Sequence, residues 1–130
     1  MATRQFLLAF GLCAALGGGA SSVEAYFDHP LSGTVIGSMN KAEKDELLRA
    51  INALLDKGED RTAAPWNYPA TGSRKEIKGT LTPLKTTTDQ GQSCRQLNVR
   101  LQRAHKSGNW TGWFCKQGDG RWLSRSISGS

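Results

Sequence analysis

The sequence predicts an α+β domain: one N-terminal amphipathic helix packed on a small antiparallel β-meander sheet and held by one disulfide. Three observations predict it. A leucine-rich stretch repeats at helical spacing, two later stretches alternate with period two, and export leaves a single pair of cysteines.

The helix is predicted between Asn40 and Gly58. Asn40 stands three residues before Glu43, the arrangement of a capping box with Asn as N-cap. Leu47, Leu48, Ile51, Leu54 and Leu55 recur on one helical face, while Lys44, Asp45, Arg49 and Asp56 point elsewhere. Gly58 closes the pattern as a C-cap residue, giving roughly four turns.

After Arg61 the period changes. Ile77, Gly79 and Leu81 alternate with polar neighbours, and so do Leu97, Val99 and Leu101. Turn signals lie at Asp89-Gln90-Gly91, at Lys106-Ser107-Gly108-Asn109 and at Gln117-Gly118-Asp119-Gly120. Strands in sequence joined by short turns make an antiparallel meander, and the leucine stripe covers one of its faces.

The first 25 residues have the order of a secretory signal: Arg4, an apolar run from Phe6 to Leu16, then small residues ending at Ala25, with Ala20 as a second cleavage candidate. The run is too short to span a bilayer, and no other apolar run is long enough for a transmembrane helix. Cys13 follows Leu12 where a lipoprotein carries Gly or Ala, which assigns it to the removed signal rather than to a lipid anchor. Residues 26–39, containing Gly and Ser and little periodicity, are expected as a flexible lead-in to a domain over 40–130. The expected location is the periplasm or the outer-membrane periphery.

Export leaves Cys94 and Cys115, which have one way to pair in an oxidising compartment. The bond closes a loop of roughly 20 residues, worth about 3 kcal/mol in the chain-entropy model. A catalytic thiol would need a His or Lys beside it to lower its pKa. Strict alternation puts Cys94 with Gln96, Asn98 and Arg100, and Cys115 with Trp113 and Thr111. The disulfide is therefore expected on the less apolar face beside Trp113, unless a bulge near Ser93 flips it.

The chain carries 17 Lys or Arg against 11 Asp or Glu, unevenly placed. Acids prevail seven to four between Tyr26 and Asp60, whereas from Arg61 onward twelve bases face Glu76, Asp89 and Asp119, a net of about +9. Such a surface suits an anionic envelope component: a lipid headgroup, lipopolysaccharide or a wall polymer. Trp66, Trp110, Trp113 and Trp122, with Tyr68 and Phe114, serve as core of a small β domain or, interleaved with arginines, as a stacking surface. Arg100, Arg103, Trp113 and Arg121 are the candidate binding residues. Export argues against nucleic acid as partner.

Chemistry-bearing motifs are sparse. His29 sits beside Pro30 and His105 beside Lys106, neither with a partner at a recognisable spacing. There is no nucleophile elbow, P-loop or clustered metal-ligand pattern, so no cofactor or metal is expected. Asp119 between two glycines reads as a turn residue, and Glu76 with Asp119 makes an acid pair only if the fold brings them together.

The ordered set Pro65-Trp66-Asn67-Tyr68-Pro69-Ala70-Thr71-Gly72, Gly79-Thr80-Leu81-Thr82-Pro83, Gly91-Gln92-Ser93-Cys94-Arg95, Trp113-Phe114-Cys115-Lys116 and Asp119-Gly120-Arg121-Trp122 resembles the C-terminal domain of the rickettsial-type surface antigen family of outer-membrane proteins. In that family a Trp before a Pro and Gly turn, a Gly-x-x-Cys-Arg strand start and a Cys followed by Asp-Gly-x-Trp recur in this order. The resemblance covers helix and sheet. It departs at the amino end, where Leu12-Cys13 is a poor lipobox and Ser32-Gly33-Thr34-Val35-Ile36-Gly37 has only a hint of the glycine spacing of a zipper, which favours a soluble periplasmic form. It implies no catalytic residues and a scaffold role for the cysteines and aromatics. The expected function is a non-enzymatic envelope module, structural or binding. The alternatives are a periplasmic inhibitor or chaperone-like partner of another envelope protein, and a small hydrolase using Asp119 or His105.

Overall fold

The computed structural model describes residues 35–127. The signal segment, Cys13, His29 and residues 26–34 of the expected lead-in lie outside them. Two helices, α1 (Val35–Ser38) and α2 (Lys41–Lys57), precede five strands: β1 (Ala64–Tyr68), β2 (Ile77–Asp89), β3 (Gln92–Arg103), β4 (Lys106–Lys116) and β5 (Trp122–Ser124). The strands form one sheet in sequence order, every pair antiparallel.

The amino end of α2 is closed by its own side chains. The Glu43 backbone N–H donates to Asn40 Oδ1 at 2.8 Å, and the Asn40 N–H donates back to Glu43 Oε1 at 3.0 Å. Leu47, Ile51 and Leu55 then face the sheet, where they meet Ile77, Leu81, Leu97, Val99 and Phe114 in one apolar cluster. Residues 35–39, expected within the lead-in, are part of this core: Val35, Ile36 and Met39 are buried, and α1 packs against β3 and β4.

The alternation of β3 survives intact. Arg95, Leu97, Val99, Leu101 and Arg103 face the helices, and Cys94, Gln96, Asn98, Arg100 and Gln102 take the other side, called here the open face. The irregularity falls on β2, between Pro83 and Lys85. Pro83 is buried and has no N–H to give the ladder, while its carbonyl accepts from the Arg61 N–H at 2.6 Å. The bulge reverses the alternation, so Leu81 and Pro83 face the helices but Lys85 and Thr87 face out.

Two turns illustrate how pairing overrides composition. Gln90 and Gly91 both have positive φ, 52° and 77°, between the paired Asp89 and Gln92, as a two-residue hairpin requires. The next turn is Ala104-His105, closed by Arg103 opposite Lys106, with Ala104 at φ 51°. The turn expected at Lys106–Asn109 is instead strand. Gly108 sits opposite Leu101, and Ser107 and Asn109 lie on the open face opposite Gln102 and Arg100.

Candidate binding surface

The open face is a ladder of rungs crossing β2, β3 and β4. From one end they read Thr87–Cys94–Cys115, Lys85–Gln96–Trp113, Thr82–Asn98–Thr111, Thr80–Arg100–Asn109 and Lys78–Gln102–Ser107. Cys94 and Cys115 lie directly opposite each other and are bonded, on the less apolar face beside Trp113. They do not form a solvent-facing floor. Both are 0% exposed, and the Arg125 side chain crosses over them: its guanidinium donates to Asp89 Oδ2 at 2.8 Å, to the Asp89 carbonyl at 3.0 Å and to Cys94 Sγ at 3.5 Å. The Arg125 backbone N–H donates to the Trp113 carbonyl at 3.0 Å, tying this strap to β4.

The cations differ in their partners. Four that lie on the helix side or at its rim meet carboxylates. Arg74 and Arg103 both bind Glu43, at 2.7 and 2.6 Å, Arg95 binds Asp60 at 2.7 Å, and Lys116 binds Asp56 at 3.2 Å. Glu43 is 1% exposed; burial pushes its carboxyl up, but hydrogen bonds from Arg74, Arg103 and the Asn40 N–H outweigh that and hold it at about 2. Arg95 holds Asp60 below the usual carboxylate range, and the Trp122 indole N–H, with Lys116, does the same for Asp56.

On the open face Lys78, Lys85 and Arg100 have no carboxylate partner among the described residues. The one carboxylate that the strands present there, Asp89, is taken by Arg125. Lys78, Thr80, Arg100, Gln102, Ser107 and Asn109 line an open depression of about 590 Å³ whose bed is the backbone of β2, β3 and β4.

Of the four residues predicted from sequence, this face joins two. Arg100 and Trp113 share it, two rungs apart. Arg103, three residues from Arg100, falls on the opposite side by alternation and is consumed by Glu43 and by the Lys75 carbonyl, to which its Nε donates at 3.2 Å. Arg121 lies in the β4–β5 turn at the disulfide end, where its backbone N–H and its Nε both bind Asp119. Lys78 and Lys85 stand on the same face and are not among the four. The alternation around Ile77 would have found Lys78, whereas Lys85 is turned outward only by the bulge.

The groups weighed for catalysis do not converge. His105 precedes β4 and Asp119 follows it, so about 35 Å of strand separates them. Glu76, just before β2 and hydrogen-bonded by Asn67, is likewise at the opposite end of the sheet from Asp119. Asp119 is held below its ordinary range by the Arg121 backbone N–H and guanidinium, as a turn residue would be. Among the described residues no group of three or more His, Cys, Asp or Glu is placed to hold a metal, and no helix is long and apolar enough to cross a membrane. Comparison with family models, with curated proteins and with solved structures finds no match to this chain.

Proposed function

We propose that this chain is a non-enzymatic binding module of the bacterial cell envelope, with the open sheet face as the surface that takes an anionic envelope component. One observation carries the reading. Arg74, Arg95, Arg103 and Lys116 each meet a carboxylate, the first and third sharing Glu43, whereas Lys78, Lys85 and Arg100 stand on one exposed sheet face with no acid opposite. Like charges held on one face without partners repel each other, and an incoming anion relieves that repulsion. The export signal read in residues 1–25 and the ordered resemblance to the surface-antigen C-terminal domain supply the compartment.

The test is retention of the full chain on anionic envelope material: vesicles containing phosphatidylglycerol, lipopolysaccharide and peptidoglycan. Salt-sensitive retention on at least one is expected, because exposed charge pairs are screened at high ionic strength. The triple variant Lys78→Glu, Lys85→Glu, Arg100→Glu is expected to lose it, and Arg61→Glu, an exposed charge outside the strands, to keep it. Absence of retention on all three materials, or equal retention by the triple variant, defeats the proposal.

A further inference from the structure

We infer that the open face takes a carboxylate- or phosphate-bearing polysaccharide, laid along the strands from Trp113 to the depression between Lys78 and Arg100; this rests on the basic-face reading above. The face has the chemistry of a glycan site. Between the Trp113 rung and the hairpin end the side chains of its paired rungs are hydroxyls, amides and isolated cations, and the single aliphatic group nearby, the partly buried Leu84 at the β2 bulge, is too little to enter a bilayer. A lipid surface therefore gains little here beyond charge.

The spacing of the charges points the same way. Lys85 shares a rung with Trp113, and Arg100 and Lys78 stand two and three rungs further on, about 14 and 20 Å along the strand direction. The interval is filled by the uncharged Thr82–Asn98–Thr111 rung. A densely charged chain would leave anions over that interval unpaired. A polymer whose anions are separated by hydroxyl-rich units matches it.

Three local features fit a sugar chain. Trp113 is half-buried on the same face, so part of its indole remains available to stack on a sugar ring. Asn98 is fixed by its own donor: Nδ2 donates to Asn109 Oδ1 at 2.8 Å, to Thr111 Oγ1 at 2.9 Å and to the Trp110 carbonyl at 3.3 Å. Its carbonyl oxygen is thereby held in place to accept from a hydroxyl. Arg100 and Lys78 are diagonal neighbours on adjacent strands, and the guanidinium can take a carboxylate or phosphate through two parallel hydrogen bonds.

The experiment titrates the full chain with hyaluronan, phosphomannan, neutral dextran, polyglutamate and phosphatidylglycerol vesicles, followed by calorimetry and by amide shift mapping of the wild-type protein. Binding of hyaluronan, whose carboxylates fall on alternate sugars, or of phosphomannan is expected, at least tenfold tighter than polyglutamate or vesicles, with shifts along the rungs from Trp113 to Arg100. Whichever of the two binds identifies the anion. Trp113→Ala is expected to weaken that binding about tenfold, the size of one lost stacking contact, and to leave polyglutamate binding unchanged. Arg100→Ala weakens both. Equal affinity for polyglutamate or vesicles, or shifts that avoid the Trp113 and Asn98 rungs, overturns the glycan inference while the basic-face reading stands. Failure of every anionic probe overturns both. The mapping uses the unmodified chain, so a poorly folded Trp113 variant does not leave the question open.

Discussion

Arg103 ends β3 by reaching across the helix side of the sheet to Glu43, Nη2 to Oε2 at 2.6 Å. Arg74, from the β1–β2 connection, binds the same carboxylate through Nε at 3.0 Å and Nη2 at 2.7 Å, and its Nη2 also donates to the Ser38 carbonyl. One buried carboxylate thus joins the end of α1, the first turn of α2 and two parts of the sheet.

Removing it leaves two guanidiniums without a counter-charge, one of them, Arg103, with only 11% of its side chain exposed. Glu43→Ala is expected to lower unfolding free energy by about 3–5 kcal/mol, the range for breaking a buried pair from one side. Urea unfolding followed by far-UV circular dichroism measures it. A loss below 1 kcal/mol would mean that the pair contributes no more than an exposed one.

The same residue sets an acid limit. Its folded carboxyl is held at about 2 against an ordinary value of 4.5. A carboxyl lowered on folding stabilises fully above its unfolded pKa, and that contribution is lost as pH falls toward the folded one. The urea midpoint is therefore expected to fall between pH 4.5 and 2, with Asp56 and Asp60, both lowered, acting in the same direction. In Glu43→Gln the fall over that window is shallower.

The local parts of this fold were legible because they are written in short-range pattern. Asn40 and Glu43 announce the start of α2, and alternation around Leu97 and Val99 puts Cys94 on the correct face of β3. The disulfide also encodes the turn that was misplaced: if Cys94 opposes Cys115, the midpoint of the hairpin is Ala104-His105, whatever turn residues follow. What stayed illegible is long-range or irregular. Glu43 and Arg74 are 31 residues apart, and no period links them. Val35, Ile36 and Met39 are core residues in a Gly and Ser context too short to show a face. Arg103 stands near Arg100 in sequence but on the other face by parity, so the charge of the open face is legible from alternation and not from proximity along the chain.

Arg95 is 7% exposed and makes three separate contacts: Nη1 to the Leu55 carbonyl in the last turn of α2, Nη2 to Asp60 and Nε to Thr86. Lysine has one nitrogen and cannot reach all three. Arg95→Lys is expected to cost about 2–3 kcal/mol, the value of losing a charged hydrogen bond inside the fold. Thermal unfolding of the two proteins side by side checks this, and an unchanged midpoint would rule out a role for the fork.

Cys94 and Cys115 lie beneath the Arg125 strap and have no exposed surface. A reductant meets them only after local or global opening. The bond is expected to survive dithiothreitol under native conditions and to be reduced at a rate that rises with urea in step with unfolding. The double variant Cys94→Ala, Cys115→Ala is expected to lose about 3 kcal/mol, as the model of loop-closure entropy gives for a sequence separation of 21. Thiol counting during a urea series measures the first expectation, and equilibrium unfolding the second.

Gly112 is fixed by its neighbour on the strand. The indole of Trp110 lies over it, and a Cβ at residue 112 would sit 2.4 Å from Cζ2 and 2.6 Å from Cη2. Trp110 cannot easily turn aside, because it is buried and stands edge-to-face with Phe114 at 5.7 Å between ring centroids. Gly112→Ala should therefore displace an indole packed in the core, at a cost of about 1–3 kcal/mol typical of overpacking. Near-UV circular dichroism separates this from a general loss of strand propensity. The Trp110 band should change with Gly112→Ala, whereas Gly118→Ala, where nothing lies within 4 Å of the added carbon, leaves the spectrum and the stability nearly unaltered.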